Sequence, residues 1–152
     1  MALEKLRDQL SPEMVHLLQG KTLVLIQAFD KSIQKNISSA LSWVFAINEK
    51  TIRFAIDHKS YLLEILESNP NILLNFIGLE SVYAVAGHAS IKVRKTEGLT
   101  LKLAFVEVEV EEVRDINFYG SKIVQNPAFI KTYNEDLAIK LDKEVHDALV
   151  SL

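Results

Sequence analysis

The chain has 152 residues, 49% of them hydrophobic and 24% charged, values that describe one globular domain with its own core and speak against disorder. A formal net charge of −3 argues against nucleic acid as a partner, because a phosphate backbone calls for a basic surplus. The absence of cysteine excludes disulfides and thiolate chemistry, and no apolar run approaches the roughly 18 residues of a membrane span or the core of a signal peptide, so a cytoplasmic domain with no membrane partner is expected.

Near the start, "LEKLRDQL" has helical spacing and reads as a turn or two of helix. Ser11-Pro12-Glu13 offers an N-cap, a first-turn proline and a first-turn acid, and Gly20 a stop, which predicts a helix over "PEMVHLLQ". "TLVLIQAFD" (22–30) is rich in branched residues and reads as a strand, whereas "KSIQKNIS" is polar and reads as a loop. "ALSWVFAI" and "TIRFAID" are two strand-like runs separated by Asn48-Glu49-Lys50, a hairpin signal. In the helix that follows, Leu62, Leu63, Ile65 and Leu66 fall on one side, and Asn69-Pro70 ends it because proline disfavours helix at the preceding residue. "NILLNFIG" reads as a buried strand, Leu79-Glu80-Ser81 as a turn, and "VYAVAGHASIKVRK" as a long strand in which Gly87 marks a bulge or a close backbone approach. Thr96-Glu97-Gly98 is the next turn.

"LTLKLAFVEVEVEEV" carries Leu101, Leu103 and Phe105 at odd positions, then Glu107, Glu109 and Glu111, while Val106, Val108 and Val110 take the even ones. The buried face is therefore expected to switch halfway, either at a bend or because the two halves pack on different partners. The acids could mark a cation site, but alternating carboxylates on a strand more commonly form a solvated face. "NEDLAIKLDKEVHDALVSL" predicts a terminal helix capped by Asn134, with Leu137, Leu141, Val145, Ala148 and Leu149 as its apolar stripe. Helices and hairpin-like strands in this order point to an antiparallel barrel or a strongly curved sheet.

The junction "DHKSYLL" is where chemistry is expected. Ser60 can cap the helix, a contribution of about 1 kcal/mol, and Lys59 stands beside the free amides and the positive end of the helix dipole. The pair can form an anion cradle, or Ser60 can be a plain cap with Lys59 in water. His16, His58, His88 and His146 lack metal-ligand spacing, and His58 alone stands where acid–base work could be done. No GxSxG, P-loop or GxGxxG occurs, so hydrolase, nucleotide triphosphate and Rossmann readings lack support.

The pieces "FAID", "HKS", "LLEILESNP", "NILLNF" and "VAGHAS", in this order from Phe54 onward, resemble the pyridoxamine 5′-phosphate oxidase-like, FMN-binding split-barrel family. The resemblance implies a mainly β (α+β) fold: a six-stranded antiparallel split barrel with an inserted helix and flanking N- and C-terminal helices. It also implies a homodimer with FMN in a cleft between the subunits. Carried onto this chain, Phe54, Ala55, Ile56 and Asp57 run beside the flavin, Lys59 and Ser60 lie near its phosphate, and Ser42, Trp43 and Val44 line the same cleft. Trp43 either stacks on the flavin ring or belongs to the core. Arg53 either faces solvent or reaches the phosphate. The dimer is further expected from Val106, Val108 and Val110, whose strand face would need cover beyond one barrel interior.

The chain departs from the oxidases at several places. Ser42 or Leu41 stands where they carry arginine, Tyr61-Leu62 where they carry Arg-Lys, and Val82 in place of a glutamine. Their arginine-rich C-terminal contacts have no counterpart in "LAIKLDKEVHDALVSL". Pyridoxamine phosphate oxidation itself is therefore not expected. Two functions remain: an FMN-dependent oxidoreductase on another substrate, or a non-enzymatic dimeric binding or stress-related module that keeps the fold.

Overall fold

The computed structural model describes residues 6–152. Among them the elements run β1 (Leu6–Arg7), α1 (Pro12–Leu17), β2 (Val24–Asp30), β3 (Lys35–Leu41), β4 (Val44–Asn48), β5 (Thr51–Asp57), α2 (Tyr61–Ser68), β6 (Asn71–Gly78), β7 (Ser81–Val93), β8 (Leu103–Asp115) and α3 (Glu135–Val150). Eight strands form one sheet in the order β3-β2-β6-β7-β8-β5-β4, with β1 added to β8, and every pairing is antiparallel. The edge strands β3 and β4 are consecutive in the chain and joined only by Ser42-Trp43, so the barrel is split between them. A split-barrel α+β fold is thus present, with eight strands where six were expected.

The inner face is one apolar cluster. Val24 and Ile26 of β2, Ile52 and Phe54 of β5, Leu74 and Phe76 of β6, and Val106, Val108 and Val110 of β8 are all essentially inaccessible. Burying each such side chain contributes roughly 1.5–3 kcal/mol. Met14 and Leu18, from α1 and its C-cap, close one mouth of the barrel; Leu62, Leu63, Ile65 and Leu66 of α2 close the other. Val106, Val108 and Val110 are covered by their own barrel, so that face needs no second subunit, contrary to expectation.

β8 does not switch its inward face where expected. Ala104, Val106, Val108 and Val110 point inward throughout the first two-thirds of the strand, and Leu103 and Phe105 are buried on the outer face by α3. Ala104 is the small apolar residue that hid this continuity. The parity changes later: Ala86 pairs with Glu112 but Gly87 with Val110, so Glu111 is an extra residue and Val113 turns inward. Gly87 sits at this bulge, where an added Cβ would lie 2.4 Å from the carbonyl oxygen of Glu109; both readings of that glycine hold.

Three other expectations change. The stretch read as loop supplies β3 from Lys35 onward: as an edge strand with little apolar content it has the polar look of a loop. Leu6–Arg7, within the stretch read as helix, pairs with β8 instead; residues 3–5 of that stretch lie outside the described residues. On α3 the buried residues are Ala138, Leu141, Val145 and Leu149, whereas Leu137 is exposed, so the stripe is rotated by about one residue at its start.

Candidate functional site

Strand pairing places the junction after β5 beside the loop before β8. Asp57 is in register with Leu103, so Asp57-His58-Lys59 face Thr100-Leu101-Lys102 across a surface cleft of about 580 Å³ that also takes Leu41, Trp43, Ala55 and Ile56 into its walls. Of the sequence-predicted site residues, Trp43, Ala55, Ile56, Asp57 and Lys59 therefore meet around one space. Ser42, Val44, Phe54 and Ser60 do not line it. Val44 and Phe54 turn their side chains into the barrel core. Ser42 accepts a hydrogen bond from Lys131 Nζ at 3.2 Å.

Ser60 acts as the cap: its hydroxyl oxygen accepts from the Leu62 amide at 3.3 Å. The preceding amides are also engaged, Lys59 N–H by the Asp57 carboxylate at 2.9 Å and Ser60 N–H by the Asp57 carbonyl at 2.9 Å. A carboxylate thus already occupies part of the positive helix start, where an incoming anion would otherwise be favoured. The first turn is also moored from below. Tyr61 donates its hydroxyl to Asp30, a residue only 4% exposed, which accepts from the hydroxyl and amide of Ser32 as well. The Ser32 hydroxyl, then Tyr61, hold the Asp30 carboxyl below the usual carboxylate range, and the bond to Asp30 pushes the Tyr61 phenol up.

Trp43 is half-buried at the edge of the outer cluster under α3, formed by Phe45, Ala55, Leu103, Phe105, Val145 and Leu149. Its indole N–H donates to Asp142 at 2.8 Å, and Lys131 Nζ lies 4.8 Å from its ring centre, a cation–π distance. One ring face is thus covered by the chain's own lysine. Arg53 fits neither sequence reading. It donates to Glu107 at 3.1 Å and to the Leu149 carbonyl at 2.9 Å, so it caps the C-terminus of α3 and fastens that helix to the barrel. Lys92 Nζ approaches the same Glu107 at 3.5 Å, while Glu109 and Glu111 are exposed. The acidic run is a solvated and ion-paired face, and among the described residues no group of acids and histidines is placed to hold a metal.

The loop wall of the cleft is held by α3: Glu144 accepts from both the amide and the hydroxyl of Thr100 at 2.9 Å, bonds that keep its carboxyl below the ordinary range. Lys102, Thr100, Lys131, Asp142 and Glu144 carried no functional signal in the sequence. They reach the site through pairing and packing over long sequence separations, which no local pattern encodes.

No protein-family model matches the sequence, and no curated protein matches it. The fold does have counterparts among solved structures. HupZ from Group A Streptococcus superposes with a TM-score of 0.58 at 15% identity, over 76% of this chain and 100% of that one. A Clostridium acetobutylicum protein related to general stress protein 26, of the pyridoxinephosphate oxidase family, gives 0.52 at 14% identity over 77% and 91%. An F420 reductase gives 0.54 at 14% identity over 68% and 98%. The chain has the pyridoxamine 5′-phosphate oxidase-like fold.

Proposed function

We propose that this protein is a flavin-binding oxidoreductase of the pyridoxamine phosphate oxidase-like class, with FMN as its cofactor and a substrate other than pyridoxamine phosphate. The observation that carries this reading is the cleft itself, which gathers Trp43, the run Ala55 to Lys59 and the run Thr100 to Leu103 from three separate segments. Its volume falls within the roughly 300–1,000 Å³ of small-molecule sites. Its contents fit a flavin in kind: Leu41, Ala55, Ile56, Leu101 and Leu103 suit a planar apolar ring, and Lys59 and Lys102 suit an anionic tail. Two of the fold's counterparts are, by name, an F420 reductase and a member of the pyridoxinephosphate oxidase family, which supports a redox cofactor here.

A bound flavin supplies the electron transfer; the chain supplies binding, orientation and electrostatics. Trp43 is braced by Asp142 and Lys131, so its ring presents a fixed wall. Asp57, whose carboxylate accepts from the Lys59 amide, and Lys59 itself line the junction side of the cleft and would orient and neutralise the ligand's charged part. A homodimer belongs to this reading, since the cleft opens on the surface and a second subunit would cover it. The cysteine-free chain, in which no described helix is long and apolar enough to cross a membrane, suits the cytoplasm.

Titrating purified protein with FMN tests the proposal. Quenching of flavin fluorescence and a rise in Tm are expected, because a ligand selective for the native state stabilises it; Lys59→Ala should weaken both. The second reading, a non-enzymatic dimeric or stress-related module, draws on the amides of the junction being taken by Asp57 and Ser60. Protein whose Tm does not move in saturating FMN would favour that reading and sink the first.

A further inference from the structure

We infer that the cavity at the α1 end of the barrel is a second ligand site, shaped for an α-amino acid with an apolar side chain. It stands apart from the flavin reading. Leu103, at the start of β8, lines the cleft, whereas Val113 and Asp115, at the strand's other end, line this cavity of about 320 Å³. That volume lies at the small end of ligand sites. Its apolar wall is made by Met14, Val113 and Leu79. Leu79 and Glu80 form the β6–β7 turn with φ of 51° and 67°, a left-handed conformation that residues with a side chain rarely adopt. The turn is held from outside: Lys122 pairs with Glu80 at 2.8 Å, and the Ile123 amide donates to the Glu80 carbonyl at 2.9 Å. Leu79 is thereby fixed in the cavity wall.

The polar wall is made by Arg7, Glu13, Tyr83 and Asp115. Strand pairing brings three of them together, with Arg7 in register with Val113 and Tyr83 with Asp115. The Tyr83 ring packs on Phe76 at 5.4 Å. Burial, then Asp115, pushes its phenol up, and Arg7 opposes them, so the hydroxyl stands in the field of both charges. Asp115 uses one oxygen, Oδ1, to accept from the Ser81 hydroxyl at 2.6 Å and the Asn117 amide at 3.1 Å. Among the described residues its Oδ2 takes no hydrogen bond, and Arg7 pairs with neither Glu13 nor Asp115, although all three line one cavity. A cation and two carboxylates that face one space without meeting are matched by a ligand carrying both charges. Its carboxylate suits Arg7 and the Tyr83 hydroxyl, and its ammonium suits Asp115 and Glu13. The apolar wall takes the side chain.

The test titrates the protein calorimetrically with leucine, with isoamylamine, which lacks the carboxylate of leucine, and with isocaproate, which lacks its ammonium. The wild type should bind leucine at least about tenfold more tightly than either analogue, the size expected of one charge-assisted contact. Arg7→Gln should weaken leucine and isocaproate severalfold and leave isoamylamine unchanged. Asp115→Asn should weaken leucine and isoamylamine and leave isocaproate unchanged. Both substitutions spare the fold, because Arg7 is exposed and asparagine keeps the Oδ1 acceptor for Ser81. Tyr83→Phe, which retains the ring on Phe76, should follow Arg7→Gln. A wild type that binds leucine no better than its analogues, or not at all, overturns the inference. A leucine affinity unaltered in all three variants overturns it as well. Neither result bears on the FMN titration, which reads the other end of β8.

Discussion

At the scale of single residues, the most consequential side chain outside the cleft is Asp30. It is a nearly inaccessible carboxylate whose oxygens accept from Ser32 and Tyr61, and these bonds favour its charged form. Its pKa in the folded chain is therefore below that of the unfolded chain, about 3.9. Such a group adds stability that is fully present above the unfolded value and is lost as pH falls through the folded one. Asp30→Asn is accordingly expected to lower the urea midpoint at pH 7. It should also flatten the fall in stability below about pH 4 that the wild type shows. An unchanged acid limb would mean that other carboxylates dominate it.

At the scale of elements, α3 is held to the barrel by a small number of contacts. Val145 and Leu149 pack on Phe45 and Phe105, Arg53 caps the last carbonyls, and Asp142 takes the Trp43 indole proton. Arg53→Ala removes the cap and leaves Glu107 without its closest partner, a loss of about 1–3 kcal/mol by the usual cost of breaking a charge-assisted hydrogen bond. Trp43 is the single tryptophan, so its emission reports α3 directly. A red shift at denaturant concentrations below the main transition is expected in the variant; coincident transitions would show that α3 and barrel unfold together. The stripe of α3 was readable from spacing alone, but not its rotation, because Ala138 is buried and a residue that small marks a buried position only weakly.

At the scale of the whole molecule, the dimer no longer has support from β8, whose valines fill their own barrel. What remains unpartnered is different. Phe118, Tyr119, Val124 and Ile130, on the connection between β8 and α3, are 74%, 82%, 90% and 85% exposed, more apolar side chain than one solvated connection needs. Light scattering is expected to give twice the mass of one chain. A single-chain mass at high protein concentration would remove the homodimer from the proposed function.

The sequence by itself determined the elements whose signals are local: the Ser11-Pro12 and Ser60 helix starts, the Asn48–Lys50 hairpin, the close approach at Gly87, and the ordered pieces from "FAID" to "VAGHAS" that point to a split barrel. Of the nine residues that the family resemblance pointed to, Trp43, Ala55, Ile56, Asp57 and Lys59 line one cleft. Only the tertiary structure decided that Arg53 is a helix cap, that Val44 and Phe54 belong to the core, that "KNISSAL" is an edge strand, and that His58 faces Lys102. Apart from "KNISSAL", whose partner is the neighbouring β2, each of these depends on partners 40 or more residues away or on burial by another element, and a hydrogen bond between distant segments leaves no periodicity in either.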